Sequence, residues 1–114
     1  MNWVMYIHLR KYLAKTNIII ISDDADIDMQ QIFEYIKINS IYYAMKTKEK
    51  IGERILDLNS LPYMGRKVPE YNKEYIRELI YKSYRIIYQI KESCIYIQRI
   101  FHSKRLISKN LIQR

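Results

Sequence analysis

The chain has 114 residues, 28% of them charged and 49% hydrophobic, and a formal net charge of +8 at pH 7. A chain of that length and composition makes one folded domain with a single modest core, which excludes a wholly disordered chain and a multidomain enzyme. Its one cysteine, Cys94, excludes an internal disulfide and a cysteine-based metal site and fits a reducing cytoplasm.

The opening MNWVMYIHLRKYLAKTN is interrupted by His8, Arg10 and Lys11. It therefore lacks the continuous apolar run of a signal peptide and is too short to cross a bilayer, so no membrane partner is expected. Residues 1–16 are expected to form an N-terminal extension, 17–105 the folded domain and 106–114 a basic tail. The charge is unevenly placed: residues 23–34 hold five acids and no base, whereas 35–101 carry a net +6. Such an imbalance suits a polyanion or an acidic protein partner.

NIIIIS, residues 17–22, is a β-branched run and is expected to be a strand. Ser22 or Asp23 then caps a helix whose apolar face is Ala25, Met29, Ile32, Phe33 and Ile36. Asp24, Asp26 and Asp28 fall near its positive end, a spacing that favours dipole compensation over a metal site, so no metal is expected. Asn39 and Ser40 break the pattern, and Ser40 caps a second helix with Ala44, Ile51, Ile55 and Leu58 buried, giving an antiparallel helical hairpin. Both prolines and a glycine place a loop at 59–75. Three strands follow, at about 76–81, 84–90 and 94–101, joined by links short enough for an antiparallel meander. The expected fold is α+β: an N-terminal strand, the helical hairpin, then the three-stranded meander, with both helices on one face of the sheet.

No Gly-rich phosphate loop, HExxH or paired-cysteine spacing occurs, and no cofactor is expected. What stands out is a set of arginines, Arg77, Arg85 and Arg99 on the expected strands and Arg66 in the loop, with His102 and Arg105 just past the last strand. Period-two alternation puts Tyr84, Ile86, Tyr88 and Ile90 on one face of their strand, the better core face, and Arg85, Ile87 and Gln89 on the other. Arg85 is thus expected on the sheet surface away from the helices, where its removal would leave the fold intact. Singly, each arginine is accounted for by solvent or a local ion pair, Glu78 being close in sequence to Arg85. Together they would make one basic, tyrosine-lined sheet face suited to phosphate.

Four segments, ADIDMQQIFEYI, LPYMGRKVPE, RELIYKSYRIIYQI and IQRIFHSKR, occur in the order and spacing of the RelE/ParE superfamily of bacterial type II toxins. The resemblance covers roughly residues 18–105. It implies the fold above and a small toxin silenced by a cognate antitoxin in a hetero-oligomer. It leaves two targets open, since RelE-like members cleave mRNA in the ribosome and ParE-like members poison DNA gyrase. A third possibility is a degenerate member that only binds its antitoxin. In the ribonuclease case the resemblance makes Arg85 the phosphate-stabilising residue and His102 the acid or base, with Arg66, Arg77, Arg99 and Arg105 contacting RNA or the target. The chain departs from the ribonuclease pattern in SKRLISKNLIQR, which holds no tyrosine.

Overall fold

The computed structural model describes residues 18–104; the N-terminal extension, Asn17, Arg105 and the basic tail lie outside the described residues. Ile18–Ile21 forms β1, Asp23–Lys37 α1, Ile41–Asp57 α2, Arg66–Lys67 β2, Ile76–Tyr81 β3, Tyr84–Ile90 β4 and Cys94–His102 β5. The five strands make one sheet in the order β1-β5-β4-β3-β2. The α+β class, the helical hairpin and the antiparallel β3–β4–β5 meander agree with the expectation. Two details do not follow from the sequence pattern. β1 pairs in parallel with β5, and the expected loop contains a fifth strand, β2, whose Arg66 and Lys67 pair with Glu78 and Arg77. Two charged residues carry no apolar alternation, so β2 leaves no periodic signal.

Ser22 and Ser40 start the two helices by the mechanism read from the sequence. Each is extended and accepts a hydrogen bond through its hydroxyl, from the Ala25 and Tyr43 amides respectively. Ser22 also donates to the Gln98 carbonyl at 2.8 Å, which ties the start of α1 to β5. Ala25, Met29, Ile51, Ile55 and Leu58 then close over Ile86, Tyr88, Leu79, Ile95, Ile97 and Ile100 of the sheet.

Ile95 and Ile97 share this face by alternation, yet Ile100 should fall on the other. A bulge resolves the mismatch: Tyr88 pairs with Ile97 and Ile87 with Arg99, leaving Gln98 as the extra residue. Its side-chain amide donates to Gln89 at 2.9 Å on the opposite face. All three isoleucines therefore reach the helix-side core. Without the bulge, plain alternation through Gln98 would turn Ile100 outward and Phe101 inward.

The other face of the sheet is also covered. Val68, Ile76, Ile87 and Phe101 form a second small core, with Tyr71 of the β2–β3 loop packed against it. The loop turns back on itself through the Val68 carbonyl, which accepts from the Tyr71 and Asn72 amides, and Asn72 takes φ of 50°, which asparagine tolerates. The open, solvent-facing sheet surface expected around Arg85 is thus largely roofed by chain.

Candidate functional site

Arg85 lies on the face away from the helices, opposite Ile80 in β3 and Phe101 in β5. It is 7% exposed, so the expectation that it contributes little to packing does not hold. The reason is two acids: Glu78, already offered by its closeness in sequence, and Glu70, which the sequence pattern left unassigned. Nε donates to Glu78, and Nη1 and Nη2 donate to the two oxygens of Glu70 at 2.9 Å each, a parallel fork. Glu78, whose side chain is fully buried, accepts from Arg66 Nε at 2.7 Å through its other oxygen. Two arginines and two glutamates alternate in one chain of charge-assisted bonds. The fork lowers the Glu70 carboxyl from its ordinary range, and the carboxylates raise Arg85 above the usual guanidinium value. Beside them an open cavity of about 500 Å³ is lined by Arg66, Pro69, Glu70, Ile80, Arg85 and Ser103.

The remaining cations do not join this cluster. Arg77 pairs with Tyr88 across the ladder and so belongs to the helix-side face. Its guanidinium donates to the Gly65 carbonyl at 2.7 Å and to the Glu74 backbone and carboxylate, both at 2.8 Å, beneath the ring of Tyr63. Arg99 makes a two-point pair with Asp28 of α1, at 2.8 and 2.9 Å. Asp28 also accepts from the Ile100 amide, past the point where β1 stops covering the edge of β5. One of the three aspartates read as dipole compensation is therefore a buried strand–helix clamp. Arg105 lies outside the described residues.

His102 is exposed at the end of β5 and pairs across the ladder with Tyr84, whose ring it meets edge-on at 5.7 Å. Both point toward the helices. They help line a cavity of about 570 Å³ with Ile32, Tyr35, Tyr43 and Lys82, between the helical hairpin and the β3–β4 turn. Burial and the neighbouring Tyr35 raise the Tyr84 hydroxyl above its ordinary range, so it stays neutral. Since Arg85 is opposite Phe101 and Tyr84 opposite His102, Arg85 and His102 project from opposite faces of the sheet. The arrangement brings Arg66 to Arg85, leaves Arg77 and His102 on the other face, and draws the Arg99 guanidinium to Asp28 although Arg99 shares the face of Arg85 by register. Among the described residues no group of three histidines, cysteines or carboxylates could hold a metal, and no helix is long and apolar enough to cross a membrane.

A two-helix hairpin against one face of a small, mostly antiparallel sheet, with cations locked to carboxylates, defines a compact α+β domain whose polar groups mainly hold it together. Residues 19–107 match the family described as the ParE toxin of type II toxin–antitoxin systems, parDE, and the chain belongs to that family. A chain of the solved structure "Chromosomal ParDE TA system from P. aeruginosa" superposes with a TM-score of 0.66 at 20% identity, over 78% of this chain and 98% of that one. That likeness is one of fold. No curated protein matches the sequence.

Proposed function

We propose that this chain arrests growth by binding DNA gyrase and is silenced by a cognate antitoxin in a hetero-oligomer. Family membership supports the toxin–antitoxin setting, and the choice of target rests chiefly on Arg85 and His102 facing opposite sides of the sheet. Cleavage of mRNA by the ribose 2′-hydroxyl requires an acid, a base and a phosphate clamp converging on one phosphodiester, each within about 3 Å of its atom. Here the best acid–base candidate and the central arginine are separated by the sheet itself. The arginine's Nε, Nη1 and Nη2 already donate to carboxylates. Inhibition by binding needs neither group to move a proton.

Induction of the chain without its antitoxin, followed by primer extension on mRNA and a gyrase supercoiling assay, tests this. Inhibited supercoiling with intact mRNA is expected. Codon-phased cuts with normal supercoiling would overturn it in favour of the ribonuclease, and no effect in either assay with antitoxin binding intact would leave a member that only binds.

A further inference from the structure

The loop at 61–65 presents three large apolar side chains to solvent: Leu61 and Tyr63 are each 59% exposed and Met64 is 38% exposed. Exposed apolar loops are normally slack, but this one is fastened from beneath. The buried Tyr88 hydroxyl donates to the Pro62 carbonyl at 2.8 Å and accepts from the Gly65 amide at 3.0 Å. Arg77 donates to the Gly65 carbonyl and stacks 4.9 Å below the Tyr63 ring. The Leu61 and Met64 amides donate to Asp57 and Leu61 carbonyls. Gly65 sits so close to β3 that a Cβ there would come within 2.5 Å of the Glu78 carbonyl, so only glycine permits the approach. A core tyrosine, a buried-side arginine and an obligatory glycine together hold the backbone that carries Leu61, Tyr63 and Met64, so that the three side chains are presented to water from a fastened loop.

Apolar anchors on a fastened backbone lose little freedom on association, which is the property of residues that dominate protein interfaces. We propose that this loop is the element by which the chain docks on its target, and that the target offers an apolar recess rimmed by acidic side chains; the inference builds on the reading that the chain acts by binding. The rim chemistry comes from the neighbours. Arg66 and Lys67 are exposed, and Lys73 lies over Tyr75, itself 43% exposed; Glu74, 3.4 Å from Lys67, and the buried Glu78 under Arg66 are outnumbered once Arg77 is added, so the rim is positive. A second copy of the chain would set cations against cations. A nucleic acid would find the Nε, Nη1 and Nη2 of Arg77 engaged and would leave Leu61 and Met64 without a counterpart.

The variant Leu61→Ser/Tyr63→Ser/Met64→Ser removes the anchors, and Leu61→Ser/Met64→Ser keeps the Arg77–Tyr63 stack should the triple variant fail to fold. Each is compared with the unaltered chain for thermal unfolding, antitoxin affinity, binding to purified gyrase holoenzyme, binding to a labelled single-stranded oligonucleotide, and growth arrest. Gyrase binding about tenfold weaker or more, with folding and antitoxin affinity retained, is expected. Equal gyrase binding by variant and unaltered chain overturns the loop as docking element while leaving the gyrase target standing. If the unaltered chain does not bind gyrase, that target fails, and growth arrest decides the loop. Arrest lost in the variant supports docking on another protein; arrest retained, or none by the unaltered chain, overturns it. Loss confined to antitoxin or oligonucleotide binding also overturns it.

Discussion

The two faces of the sheet are closed by different physics. On the helix side, Ile51, Ile55, Leu79, Ile86 and Ile97 pack almost without polar atoms, and the Tyr88 hydroxyl is led out to the edge. On the other side four apolar residues share the face with Arg85 and Glu78, and the Glu70 loop completes the cover. An apolar face tolerates changes that conserve volume, whereas an ionic one fails when either partner is lost, because the survivor is a buried charge. A family's sheet arginine can therefore matter to folding through the carboxylates it neutralises, without touching a substrate.

Five substitutions at four positions would sharpen that contrast. Glu78→Ala leaves Arg85 and Arg66 without their shared carboxylate in a fully buried position, and urea unfolding should show a loss of about 3–5 kcal/mol. Ile86→Ala on the helix side should cost about 2–5 kcal/mol, set by how far the cavity collapses, with Ile86→Val costing about 1 kcal/mol. Ser22→Ala removes both the α1 cap and the bond to Gln98, a loss of about 1 kcal/mol by the same measurement. Glu70→Gln should cost less, under about 1 kcal/mol, because Glu70 is partly exposed.

Acid would distinguish the last of these. Glu70 has its carboxyl lowered from 4.5 by the bond to Arg85, so its contribution is complete above that value and is lost as pH falls through the lowered one. Stability of the unaltered chain should decline more steeply below about pH 4.5 than that of Glu70→Gln. Parallel slopes in acid unfolding would mean that the fork contributes nothing.

Much of this was legible from residue types and spacing. Ser22 and Ser40 announced the helices, Ala44, Ile51, Ile55 and Leu58 the face of the second, and Tyr84 to Ile90 the face on which Arg85 would fall. Several features had no local signal. Gln98 shifts the alternation of β5 only because of its partners in β4, and β2 is two charged residues long. Glu70 reaches Arg85 from 15 residues away and Asp28 reaches Arg99 from 71, so neither pair has a periodic signature. The arginines were visible as a set, but the acids that divide them among separate sites were dispersed along the chain. Gly65 read as loop composition, and its role emerges only against the Glu78 carbonyl and Tyr88 hydroxyl.

The central claim is that Arg85 holds the fold and that growth arrest comes from a surface, not from phosphate chemistry. Arg85→Met/Glu78→Leu tests it by replacing the buried charges with apolar groups of similar volume, an exchange that buried ion pairs often survive with little loss of stability. The measurement is growth arrest on induction of this double variant, at matched soluble protein and with cooperative unfolding verified. Arrest equal to that of the unaltered chain is the predicted result. A folded double variant that no longer arrests growth would contradict the account and return Arg85 to the chemistry.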